Sequence, residues 1–127
     1  MKIYISHSRS FDFKSGLYQP LMNSPLAKEH EFILPHAEHE EPFEIKAALH
    51  SKSIDLIIAE VSFSSTGQGI ELGWADIYEV PIVCIYKDGT VPSGSLSVVT
   101  KRMLMYTSTE NMLEDITKLL QNYETNY

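Results

Sequence analysis

Cysteine is almost absent. Cys84 is the single one in 127 residues and lies in the apolar run 80–86, so an internal disulfide is excluded and a buried structural thiol is expected. Basic charge is scarce as well: 10 Lys and Arg stand against 17 Asp and Glu, a formal net charge of −7. That balance argues against general nucleic-acid binding, which needs a basic surface to neutralise phosphates, but leaves room for one small phosphorylated ligand. Long hydrophobic runs are missing too. After Lys2 the apolar stretch ends at Ile5, and nothing reaches the length of a signal peptide or membrane span, so a cytoplasmic protein without membrane contact is expected. There is no internal repeat or low-complexity tract. What is present is ordinary globular composition, 43% hydrophobic and 21% charged, in a chain the size of one domain, 1–127.

The most informative stretch runs from Asp55 to Tyr78. Leu56, Ile57, Ile58 and Val61 form the continuous aliphatic run of a parallel strand covered on both faces. Ser62 to Gly67 reads as a loop, and from about Gln68 the apolar positions Ile70, Leu72, Trp74, Ala75 and Ile77 fit a helix. Glu71 would then lie in the first helical turn, where the helix dipole favours an ionised carboxylate, or it only complements that dipole. Free backbone N–H groups at such a strand-to-helix junction favour an anion.

Further strands are expected over Lys2–Ser6, Glu31–Leu34, Pro81–Tyr86 and Arg102–Tyr106. Pro20 and Pro25 shorten or break a helix between Phe11 and His30, and Phe43 to Ser51 reads as a helix leading into the central strand. A last helix follows Thr107–Thr109, with Met112, Leu113, Ile116, Leu119 and Leu120 as its apolar stripe and a tail fraying from Asn122. Five strands alternating with helices imply a three-layer α/β fold with a flavodoxin-like, five-stranded, mainly parallel sheet. His36, His39 and Glu40 suggest metal ligands, but no complete zinc pattern accompanies them; a solvated loop is expected, with no metal and no other cofactor.

The pattern Asp-x-x-x-Ala-Glu-Val-Ser-x-x-Ser-x-Gly-x-Gly-x-Glu-x-Gly-x-Ala, from Asp55 to Ala75, resembles the signature of the nucleoside 2-deoxyribosyltransferase family, including its 2′-deoxynucleoside 5′-monophosphate N-glycosidase branch. The resemblance implies cleavage or transfer at an N-glycosidic bond of a nucleoside or its 5′-monophosphate, with Glu71 as nucleophile and Tyr4 beside it. It also implies that Ser8, Arg9, Ser65, Gly67, Gln68, Gly69 and Ser95 bind the substrate, Ser95 from the second subunit of a homodimer. Trp74 suits such a dimer contact or the core equally well.

Each of these residues also has a plainer reading. Tyr4 can simply bury its ring in a strand, Arg9 can be a solvated surface cation, and a loop serine such as Ser95 is commonly just hydrated, with Ser93 and Ser97 close by. Two departures from the family pattern stand out: His7 occupies a usual glycine of the first loop, and Ala47 stands where the family has an aspartate assisting the nucleophile. Glu44, one turn earlier, is displaced by roughly 5 Å. A nucleotide-binding module that senses rather than cleaves is therefore the alternative function.

Overall fold

In a computed structural model, residues 1–37 and 44–126 are described. The aliphatic runs form five strands: β1 (Lys2–His7), β2 (Glu31–Ile33), β3 (Leu56–Glu60), β4 (Ile82–Lys87) and β5 (Met103–Tyr106). Their order is β2-β1-β3-β4-β5, and every neighbouring pair is parallel. The helices are α1 (Gln19–Met22), α2 (Leu26–Glu29), α3 (Ile45–His50), α4 (Thr66–Ile77) and α5 (Thr109–Asn126), with a π-helical turn at Lys14–Tyr18 and a 3-10 turn at Gly94–Val98. This is the expected three-layer α/β architecture.

Strand alternation divides the core in two. Ile3, Ile5, Leu56 and Ile58 pack against the α1, α2 and α5 layer, whereas Tyr4, Ile57 and Ala59 pack against α3 and α4. Asp55 clamps the strand entry. Its carboxylate accepts from the Lys2 backbone N–H at 2.7 Å, and its own N–H donates to the Lys2 carbonyl at 2.8 Å, so β3 enters the sheet in register with β1. No helix among the described residues is long and apolar enough to cross a membrane.

Two boundaries differ from expectation. α4 begins at Thr66, because Ser65 is extended and its hydroxyl accepts from the Gln68 N–H at 3.4 Å as an N-cap. Gly67 and Gly69 are thus helical residues and not turn glycines, and Glu71 lies in the second turn. α5 continues through Asn126 instead of fraying from Asn122. Tyr123 is buried there, and the Arg102 guanidinium both donates to its hydroxyl at 2.5 Å and lies 4.9 Å from its ring centroid. The 11–30 segment is broken into short helices as its prolines require, with Pro20 inside the first turn of α1 and Pro25 capping α2.

Both α3 and α4 end in a left-handed residue, Lys52 at φ 62° and Glu79 at φ 61°. After α4, the Val80 N–H reaches back to the Ala75 carbonyl at 2.9 Å and the Glu79 N–H to Asp76 at 3.1 Å, the paired closure that favours glycine at this position. Glu79→Gly should therefore raise stability by about 0.5–1 kcal/mol, read from urea unfolding. Destabilisation by that substitution would contradict the strain assigned to Glu79.

Candidate functional site

In a sheet of this order, the connections leaving β1 and β3 pass to opposite faces and open a crevice at the carboxyl ends of the two strands. Tyr4 and Ser6, two residues apart on β1, point to the α4 face. There the Glu71 carboxylate is half-buried. It accepts from the Ser6 hydroxyl at 3.5 Å and is hydrogen-bonded to the Tyr4 side chain. Burial raises the Glu71 pKa above the ordinary carboxylate value, with the bonds from Tyr4 and Ser6 opposing the rise. Desolvation thus outweighs the helix dipole, which fades beyond the first turn. Tyr4 is pushed well up, first by burial and then by the Glu71 charge, and so stays protonated as a donor.

The other wall of the crevice is aromatic. His7 faces the α1 side, 7% exposed, with Nδ1 on the Ser8 carbonyl at 2.9 Å and Nε2 on the Tyr18 hydroxyl at 2.6 Å. A carbonyl only accepts, so Nδ1 carries the proton and the Tyr18 hydroxyl donates to Nε2. The Tyr18 oxygen accepts the His36 backbone N–H at 3.1 Å. The His7 ring stacks on Phe13 at 4.4 Å between centroids and meets the His36 ring edge-on at 5.3 Å. Burial above all, opposed by the bond to Ser8 and helped by His36 and Arg9, lowers the His7 pKa to about 4. Tyr18 is pushed up to about 12 by burial, with a smaller rise from the Glu71 charge. Tyr18 is near enough to the Glu71 carboxylate to feel its charge, so that carboxylate and the neutral His7–Tyr18 pair share the carboxyl edge of the sheet.

The remaining candidate residues fall into distinct places. Ser8 is buried and its hydroxyl accepts from the Ser10 N–H at 3.0 Å, shaping the loop after β1, while Arg9 is exposed at its tip. Ser65, Gln68, Gly69 and Ser95 line a cavity of about 500 Å³ between α4 and the 3-10 turn. Glu71 is not part of that lining. The Gln68 amide is held, donating from Nε2 to the Glu60 carbonyl at 2.9 Å. At both Gly67 and Gly69 an added Cβ would meet nothing within 4 Å, so the helix start is open at these two positions.

Ala47 is exposed on α3. Lys46 lies 5.4 Å from the Trp74 ring centroid and His50 lies 5.2 Å from Tyr78, so α3 and α4 run side by side in the same direction. Glu44 consequently lies on the Glu71 side of the Lys46–Trp74 contact and Ala47 on the far side. Trp74 itself packs within the chain against the α3 layer. His39 and Glu40 lie outside the described residues, and among the described residues no three His, Cys, Asp or Glu side chains converge on a metal-sized site. Ser6 escaped the sequence reading although its spacing from Tyr4 puts it on the same strand face; the His7–Tyr18 bond has no local signal at all.

Because His7 is neutral in the folded state and titrates near 6.5 when unfolded, acid favours the unfolded chain. The stability contributed is complete above pH 6.5 and is lost as pH falls to about 4, a change of up to about 3 kcal/mol. His7→Gln should lower stability at pH 7 yet flatten its decline between these values in urea titrations. An equally steep decline in the variant would remove His7 as the cause.

Comparison with known proteins bears on the fold. No family model and no curated protein matches the sequence. The structure is similar to a CMP N-glycosidase of Clostridium botulinum, BcmB, with TM-score 0.65 and 19% identity over 92% of this chain and 99% of that one. It is also similar to a conserved protein from Enterococcus faecalis V583, with TM-score 0.58 and 16% identity over 93% and 98% of the two chains. At these identities the likeness establishes a shared three-layer α/β fold across nearly the whole chain.

Proposed function

We propose that this protein cleaves the N-glycosidic bond of a nucleoside or its 5′-monophosphate, with Glu71 as nucleophile. The observation that carries the reading is the half-buried Glu71 carboxylate, held by the Tyr4 and Ser6 side chains at the carboxyl edge of the sheet. The signature around it resembles that of nucleoside 2-deoxyribosyltransferases, and a fold neighbour is a CMP N-glycosidase. In this reading a Glu71 oxygen attacks the anomeric carbon as the bond to the base breaks, and the bonding pair leaves with the base. The resulting glycosyl ester is resolved by water or by a second base. Tyr4 and Ser6 hold the attacking carboxylate, and the aromatic wall of Tyr18 and His36 is suited to a flat base. Ser65, the open start of α4 and Arg9 take the 5′ end.

A nucleotide-binding module without turnover is the second reading, favoured by the alanine at position 47 and the exposed Glu44 one turn away. Incubation with a panel of nucleosides and monophosphates, followed by chromatography for free base, separates the two. Base release is expected, and Glu71→Gln should reduce it by about 10³-fold or more while ligand affinity stays within about tenfold. Undiminished release in that variant would exclude Glu71 as nucleophile; binding without release in the parent selects the module.

The homodimer is proposed through the outer face of α4 and the neighbouring 3-10 turn, where Ile70, Ile77, Val91 and Val98 are exposed at 50%, 76%, 91% and 79% beside Ser95. A second copy of the chain covering this face would bring its Ser95 toward the first copy's site. Sedimentation at micromolar concentration should show a dimer, and Val98→Asp should give a monomer with reduced base release. A fully active monomer would contradict the shared site.

A further inference from the structure

Glu60 is a second carboxylate at the carboxyl edge of the sheet, and the proposed chemistry does not use it. Strand alternation turns it away from Glu71: Leu56 and Ile58, in phase with it, pack in the α5 layer, whereas Ile57 and Ala59 pack beneath α4. It therefore cannot stand in for the helper absent at Ala47. Glu60 is only 1% exposed. A carboxylate so far from water persists where donors replace its hydration. Here the Ser62 N–H donates to Oε1 at 2.6 Å, the Ser62 hydroxyl donates to Oε2 at 2.9 Å, and the Tyr106 hydroxyl donates to the same Oε2.

These bonds continue outward. The Ser62 hydroxyl accepts the Lys87 N–H at 2.8 Å, and the Glu60 carbonyl accepts from Gln68 Nε2 at 2.9 Å. Gln68 is the residue whose N–H meets the Ser65 cap of α4. One residue thus joins the ends of β3, β4 and β5 to the first turn of the helix that carries Glu71, which follows one turn later. A turn of helix is stiff, so a shift at its start is passed on to Glu71.

We propose that Glu60 is a positioning residue: its carboxylate fixes Ser62 at the head of the loop leading to the Ser65 cap, while its backbone carbonyl holds Gln68, so that α4 starts at Thr66 and Glu71 meets Tyr4 and Ser6. The kinetic part of this inference rests on the function proposed above; the structural part does not. A displacement of about 1 Å at a reacting group is enough to cost on the order of 10²-fold in rate.

The test is carboxyl carbon NMR of the protein labelled at glutamate, with the Glu71 signal identified by its loss in Glu71→Gln. Glu60→Gln keeps the size but removes the charge and one acceptor. Tyr106→Phe keeps the charge and removes one donor. Both should bring the Glu71 titration down toward the ordinary carboxylate range as the crevice loosens and hydrates. Both should also lower kcat, by about 10- to 100-fold for Glu60→Gln, with KM changed less than about threefold. An unaltered Glu71 titration in folded variants would overturn the proposal, since a purely stabilising role lowers the unfolding midpoint alone. A shift in Glu60→Gln without one in Tyr106→Phe would mark a through-space charge effect and would also overturn it. If Glu60→Gln does not fold, Tyr106→Phe decides by the same titration. A parent protein that releases no base defeats the proposed function, while the NMR result still decides the role of Glu60.

Discussion

A carboxylate drawn out of water needs donors, and at Glu71 the Tyr4 and Ser6 side chains of the neighbouring strand supply them. Much of the architecture follows from that requirement. β1 must lie next to β3 so that its α4-facing side meets the helix that β3 feeds, and the parallel order β2-β1-β3-β4-β5 does this. Tyr4 and Ser6 must share a strand face, which a spacing of two ensures. α4 must start at a defined residue, and Ser65 caps it there. Burial leaves the carboxylate more readily protonated than an exposed one, and the bonds from Tyr4 and Ser6 work against that shift.

The surroundings of that carboxylate carry little charge. His7 is held neutral, Tyr18 keeps its proton, and both are locked by bonds to each other and to the backbone of Ser8 and His36. A glycine at position 7 would leave Tyr18 without its acceptor. The histidine in this chain therefore builds a wall as well as taking up space. On the other face of the sheet, the buried Glu60 is satisfied by hydroxyl and backbone donors, so both carboxylates are held by protein donors while facing opposite directions.

The strands were legible in the sequence because the aliphatic runs at 56–61 and 80–86 are continuous, as strands covered on both faces must be. The breaks at Pro20 and Pro25 were legible for the same local reason. The start of α4 was misplaced by two residues because Gly67 and Gly69 look like turn formers, whereas Ser65 followed three residues later by Gln68 marks an N-cap. The end of α5 depends on Arg102 meeting Tyr123, a contact between distant parts of the chain that periodicity does not encode. The same limit hid the roles of Glu60 and His7. Glu71 stood out by its place after the strand-to-helix junction, its pairing with Tyr4 came only from the family resemblance, and the hydrogen bond between them gives that pairing a physical basis.

If Glu71 is the nucleophile proposed above, the sugar becomes covalently bound to it, and mass spectrometry of the intact protein detects that bond. A 2-fluoro-substituted nucleotide, whose fluorine slows both steps through an electron-poor sugar, should leave the sugar attached as an ester, with peptide mapping placing it on Glu71. Base released with the sugar found on another residue, or with no sugar on the protein after acid quenching during turnover, would contradict the account.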